Sequence, residues 1–220
     1  MAWFNMQGAM AFINQFLSRW QSQIRNLNQT VAPSSMFECF CFISLIDAYD
    51  QSGYQITRKG PQDIYFKRSV PGWANNFTYF VASGSSGVFE IRQNQGYRNH
   101  QVYFNLDIVI INSENSLAKN TLEFSNLHTF CECKHYRSFS PSLCAYFLGL
   151  ARIVMPTNIL MRTLQHPYPP PILLVSGTAS REVTNMRDLV QQKRYHVRFL
   201  DSISPITAQS VLFDWINMRL

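Results

Sequence analysis

The stretch VYFNLDIVII at 102–111 constrains this chain more than any other, because it is a strand-length run of β-branched and aromatic residues interrupted by a single carboxylate, Asp107. A lone ionised carboxylate among apolar neighbours is costly unless it is paired or bound to a cation. The fold therefore has to bring a counter-charge to Asp107.

The run HTFCECK at 128–134 supplies one. Side chains alternate along a strand, so Glu132 and Lys134 share one face while Cys131 and Cys133 share the other. Two carboxylates and a lysine on neighbouring strands make a site for a hard divalent metal. Oxygen ligands hold Mg²⁺ or Mn²⁺ against a scissile phosphate, and a nearby ammonium orients or activates the attacking water. The chemistry expected is phosphodiester hydrolysis.

The remaining segments give this pair of strands a setting. Trp3, Met6, Met10, Ile13, Leu17, Trp20, Ile24 and Leu27 recur at spacings of three and four, the signature of one apolar face on a long N-terminal helix. Residues 1–30 are read as that amphipathic helix, packing on the parent domain or joining a second copy or a partner protein, and residues 31–220 as the main domain. A helix is expected from Pro33 to about Asp50, with Glu38 inside its most apolar part. Strands follow at YQIT, DIYFKRSV, NFTYFVAS, VFEIRQ and VYFNLDIVII, with a turn at 84–87. Residues 112–127 are polar and read as a loop with a short strand near 121–124. Ser140 and Pro141 cap a helix to about Met155. The Pro-rich stretch at 166–171 is a stiff connector to the strand ILLVS. A helix from Ser180 to about Lys193, the strand YHVRFL and a last helix from Thr207 complete the chain. Strands followed by strand-helix-strand-helix-strand predict an α/β fold, a mixed sheet with helices on both sides.

Composition narrows the partners. Nineteen Lys and Arg against 13 Asp and Glu give a net charge of +6, which favours a polyanion such as nucleic acid. Arg58 with Lys59, Lys67 with Arg68, and Arg92 with Arg98 are candidates for lining a groove. Tyr136 and Arg137 directly after Lys134 are candidate phosphate contacts, and Tyr146 and Arg152 on the next helix candidate supports. Tyr65, Trp73, Tyr79 and Tyr97 read as core or as base-stacking rings. Five cysteines without a dense framework suggest a reduced, cytoplasmic protein, and no run approaches the ~18 apolar residues of a membrane-spanning helix. Cys39 with Cys41 and Cys131 with Cys133 invite a four-thiolate zinc site, but residues two apart on a helix point in different directions, so buried free thiols are expected. His128 and His135 are expected to be exposed at the ends of the strand.

A strand with Asp107, a strand reading Glu132-x-Lys134, and then the capped helix SPSLCAYFLGLAR resembles the PD-(D/E)xK (restriction-endonuclease-like) nuclease superfamily, which includes restriction endonucleases and Holliday-junction resolvases. The likeness spans roughly Pro33 to Leu200. It implies a restriction-endonuclease-like sheet flanked by helices, with the N-terminal helix as an addition. It implies Asp107 and Glu132 as metal ligands, the backbone carbonyl of Cys133 as a further ligand, Lys134 as the catalytic lysine, and Glu38 as the helix-borne acidic residue facing the metal. It further implies a Mg²⁺- or Mn²⁺-dependent endonuclease acting on double-stranded DNA, within a restriction, repair or defence system that supplies recognition through a dimer or a partner. The alternative is an inactive nuclease-like scaffold. This chain has no Pro before Asp107, and 24 residues separate Asp107 from Glu132, a gap that an insertion at 112–127 would explain. Asp63 with Glu90 and Arg92 is a competing set, weakened because Arg cannot give up a proton.

Overall fold

The computed structural model describes residues 4–19, 32–60, 77–99, 102–113, 121–122, 127–155, 169–192 and 195–218. The predicted strand DIYFKRSV, with Asp63, Tyr65, Lys67 and Arg68, lies outside them, as do Trp3, Trp73 and residues 20–31.

The main sheet runs β1 (Gln55–Lys59), β2 (Tyr79–Gly84), β3 (Gly87–Asn99), β4 (Val102–Asn112), β6 (Leu127–Lys134), β8 (Ile172–Val175) and β10 (Arg198–Leu200), neighbour to neighbour in that order. The two-residue strand β5 (Thr121–Leu122) pairs in parallel with the far end of β3. The pairings from β1 to β6 are antiparallel, and those of β6 with β8 and of β8 with β10 are parallel. The direction changes where helices take over as connections. α3 (Pro141–Val154) links β6 to β8 and α4 (Arg181–Gln192) links β8 to β10, because parallel neighbours need a crossover. A small second sheet, β7 (Ser138–Phe139) with β9 (Thr178–Ala179), joins the segments that follow β6 and β8.

Helices cover both faces, so the expected mixed α/β architecture is what the chain adopts. On one side α1 (Met6–Ser18), α2 (Pro33–Gln51) and α5 (Ala208–Ile216) pack on Ile91, Ile108, Ile110, Cys131 and Cys133. On the other, α3 and α4 pack on Val109, Ile111, Phe130 and Leu173. α2 is apolar all round and is buried along nearly its whole length from Met36 to Tyr49, as expected of a helix covered on every side. The N-terminal helix is part of this core: Ala9, Ile13, Phe16 and Leu17 are buried, and Phe4 meets the rings of Phe37 and Phe40. Asn5 caps α1 through the Gly8 amide, and Ser140 caps α3 through that of Leu143.

Candidate active site

β4 and β6 bring the three central residues together. Ile108 faces Cys131 in the antiparallel register, so Asp107 and Glu132 come next along the two strands. Their contacts are mutual. The Asp107 amide donates to Glu132 Oε1 at 3.3 Å, and the Cys133 amide donates to Asp107 Oδ2 at 2.8 Å. Lys134 bridges both acids, its Nζ 2.9 Å from Asp107 Oδ2 and 2.8 Å from Glu132 Oε2. The counter-charge that Asp107 demands is thus the lysine two residues beyond Glu132. The Cys133 thiol points away, into the α2-facing core.

Regular alternation fails at this point in the sheet. Leu106 belongs to the α3 side with Val109, whereas Ile108 and Ile110 belong to the α2 side. Across β3 the register passes from Gln93 opposite Ile108 to Gln95 opposite Leu106, and between them Asn94 takes a left-handed backbone with φ of 47°. Asn94 is buried and its side chain hydrogen-bonds Glu38. Asn tolerates this conformation better than most residues, which is why it is found there. Sequence reasoning passed over Asn94; the available signal was Asn-Gln-Gly inside a strand.

Glu38 projects from the second turn of α2 into the same electrostatic neighbourhood. Burial and the Asp107 charge push its carboxyl up to about 7, against the pull of Lys134 and the Asn94 hydrogen bond. Glu132 is also raised, by burial and by Asp107, with Lys134 opposing. Burial lowers the Lys134 ammonium, but Glu132 and Asp107 outweigh it and hold the group above the usual lysine range. The pocket therefore has three carboxyls for one ammonium, and a further cation would displace protons from the raised carboxyls. Among the described residues no three His, Cys, Asp or Glu side chains already converge as a preformed ligand set. Asp107 and Glu132 do converge, and a cation there would share their oxygens with Lys134.

Around this centre, Tyr136 and Arg137 are exposed directly after the motif strand. Tyr146, on α3, has its hydroxyl raised by burial and by the Glu132 charge, with Asp107 adding and Lys134 opposing. Ser176, at the end of β8, bonds His135 Nδ1 at 2.9 Å and donates to the Tyr136 carbonyl at 3.2 Å.

Other expectations are corrected. Arg92 does not line a groove: it is 5% exposed, paired with Glu90 at 2.7 Å and stacked over Tyr79 at 3.7 Å. The Glu90-x-Arg92 spacing on one strand face accounts for this internal pair, and also consumes the acid of the competing site. His128 is buried against Phe89 with ring centroids 4.4 Å apart, and that burial lowers its pKa to about 4, so it is no exposed strand end. His135 is half-buried. All five cysteines are free and buried, as expected. No helix among the described residues is long and apolar enough to cross a membrane.

No family model, curated protein or solved structure matches the chain.

Proposed function

We propose that this chain is a restriction-endonuclease-like enzyme that hydrolyses nucleic-acid phosphodiesters with a divalent cation, Mg²⁺ or Mn²⁺, held at Asp107 and Glu132. The observation that carries the reading is the convergence of Asp107, Glu132 and Lys134 from two adjacent strands, with Lys134 Nζ within 3 Å of both carboxylates. The order of elements supports it: an acid-bearing helix, antiparallel strands, the Asp strand, the Glu-x-Lys strand, a capped helix and a parallel strand.

The residues fit such a cation. The donors are hard carboxylate oxygens, and the pocket has more acid than base. Asp107 and Glu132 would hold it, with Glu38 contributing from α2. When bound, the cation neutralises the phosphate and polarises it toward attack. Lys134 keeps its proton in the pocket, because two carboxylates accept from it, and it places that positive charge beside the attacked phosphorus and the incoming water. The Cys133 amide holds the Asp107 carboxylate through Oδ2, so that side chain is pre-positioned by backbone. Arg137 and the net charge of +6 favour a polyanionic substrate.

A second reading, an inactive scaffold of the same fold, draws on the Lys134 bridge itself, which also serves as a buried structural ion pair. Cleavage of plasmid, linear and single-stranded DNA and of RNA, with Mg²⁺, Mn²⁺ or EDTA, decides between them. The enzyme cuts only with metal, and Lys134→Ala and Asp107→Ala each lower the rate by about 100-fold or more. Cutting that persists in both variants, or in EDTA, removes the assignment.

A further inference from the structure

Among the described residues the two most exposed aromatic side chains are Tyr136 at 54% and Tyr146 at 58%. Tyr136 follows Lys134 by two residues, a chain length of about 7 Å. Tyr146 precedes Phe147 on α3, and the Phe147 ring lies 5.6 Å from that of Phe130, two residues before Glu132 on the motif strand. Among the described residues Phe37, Phe40, Phe42, Phe80, Phe130, Phe139 and Phe147 are fully buried, and Phe213 is 36% exposed.

Both rings are carried on backbone that is held in place. The Tyr136 carbonyl accepts from Ser176 Oγ, and Gly177 packs so closely that a Cβ on it would lie 2.2 Å from that carbonyl oxygen and 2.3 Å from the Arg137 oxygen. Tyr146 stands on α3, whose Ser140 cap and buried Phe147 fix the helix against Phe130 of the motif strand. Exposed rings on fixed backbone near a phosphate-cleaving centre match base stacking, because every base offers a π face. In a paired duplex those faces are covered by the neighbouring base pairs. A ring at the cut site meets a whole face most readily where the base is unpaired and unstacked.

Building on the cation-dependent nuclease reading, we infer that Tyr136 and Tyr146 form a stacking platform for unpaired bases, so that the substrate is nucleic acid that is single-stranded at the scissile phosphate. This differs from the double-stranded DNA expected from charge and family likeness.

The test uses the full chain with Mn²⁺ and end-labelled DNA of one sequence in three forms: single-stranded, fully paired, and paired around an unpaired loop. Wild type should cut the single strand and the loop about 10-fold or more faster than the duplex. Tyr136→Ala and Tyr146→Ala should each slow single-strand cutting by about 10-fold, whereas Tyr146→Phe, which keeps the ring, should retain the wild-type preference. Equal cutting of duplex and single strand overturns the platform. So does wild-type single-strand cutting by both alanine variants while Lys134→Ala is dead, and in that case the nuclease reading survives. If no form is cut, single-stranded DNA carrying 2-aminopurine is titrated with the protein in Ca²⁺. Quenching that disappears in the double tyrosine variant supports the platform, and absence of quenching by wild type overturns it.

Discussion

Asn94 shows how one residue can organise the pocket. Its left-handed backbone stands where β3 passes Asp107, and its side chain meets Glu38. A β-branched residue has no comfortable route into that conformation, so Asn94→Val should cost about 1–3 kcal/mol in chemical denaturation. Asn94→Gly keeps the backbone permissive and should cost less while weakening the hold on Glu38. Equal stability of the two variants would mean that the local conformation is unimportant. His128 makes a separate prediction about pH. Its folded pKa, about 4, lies below the ordinary value of 6.5, so the neutral form is the one the fold accepts. Its contribution is fully present above pH 6.5 and is lost as pH falls from there to about 4, by up to about 3 kcal/mol. His128→Phe should therefore gain stability relative to wild type as pH falls from 8 towards 4. An advantage that is constant with pH would contradict the assignment. Both residues were illegible in the sequence for the same reason. A polar letter at a strand position reads as exposed, and only a partner on another element, Phe89 on β3 or Glu38 on α2, reveals that it is enclosed.

Elements were far easier to read than their individual side chains. Pro33, the Ser140-Pro141 pair and the apolar runs marked α2, α3, β4, β6 and β8 within a residue or two, because caps and periodicity are local signals. The lengths of β3 and β10 were not legible: β3 runs on to Asn99 under the pairing of β4, and β10 is only Arg198–Leu200 because its partner β8 is short. Asp107, Glu132 and Lys134 were legible as a set because period-two alternation fixes a face and the order of strands fixes neighbours. Arg92 was misread because pairing with Glu90 along one strand competes with solvent exposure. The joint between the motif strand and β8 carries its own prediction. Gly177 leaves no room for a Cβ against the backbone of Tyr136 and Arg137. Gly177→Ala should lower stability by about 1–3 kcal/mol in thermal unfolding and displace the segment after Lys134. An unchanged melting temperature would show that the segment yields without cost.

For the whole molecule, helices on both faces bury the central strands, so Asp107, Glu132 and Lys134 are drawn out of bulk water by the fold itself. Burial and the Asp107 charge raise the Glu38 and Glu132 carboxyls, so the pocket calls for positive charge beyond that of Lys134. The central claim is that a divalent cation supplies that charge at Asp107 and Glu132, beside Lys134. Calorimetric titration of Mn²⁺ into the purified chain tests this most directly, with Asp107→Asn and Glu132→Gln alongside. The account predicts saturable binding by wild type, weakened about 10-fold or more in each variant while both remain folded. Wild type that takes up no Mn²⁺, or variants that bind it as tightly as wild type, would contradict it.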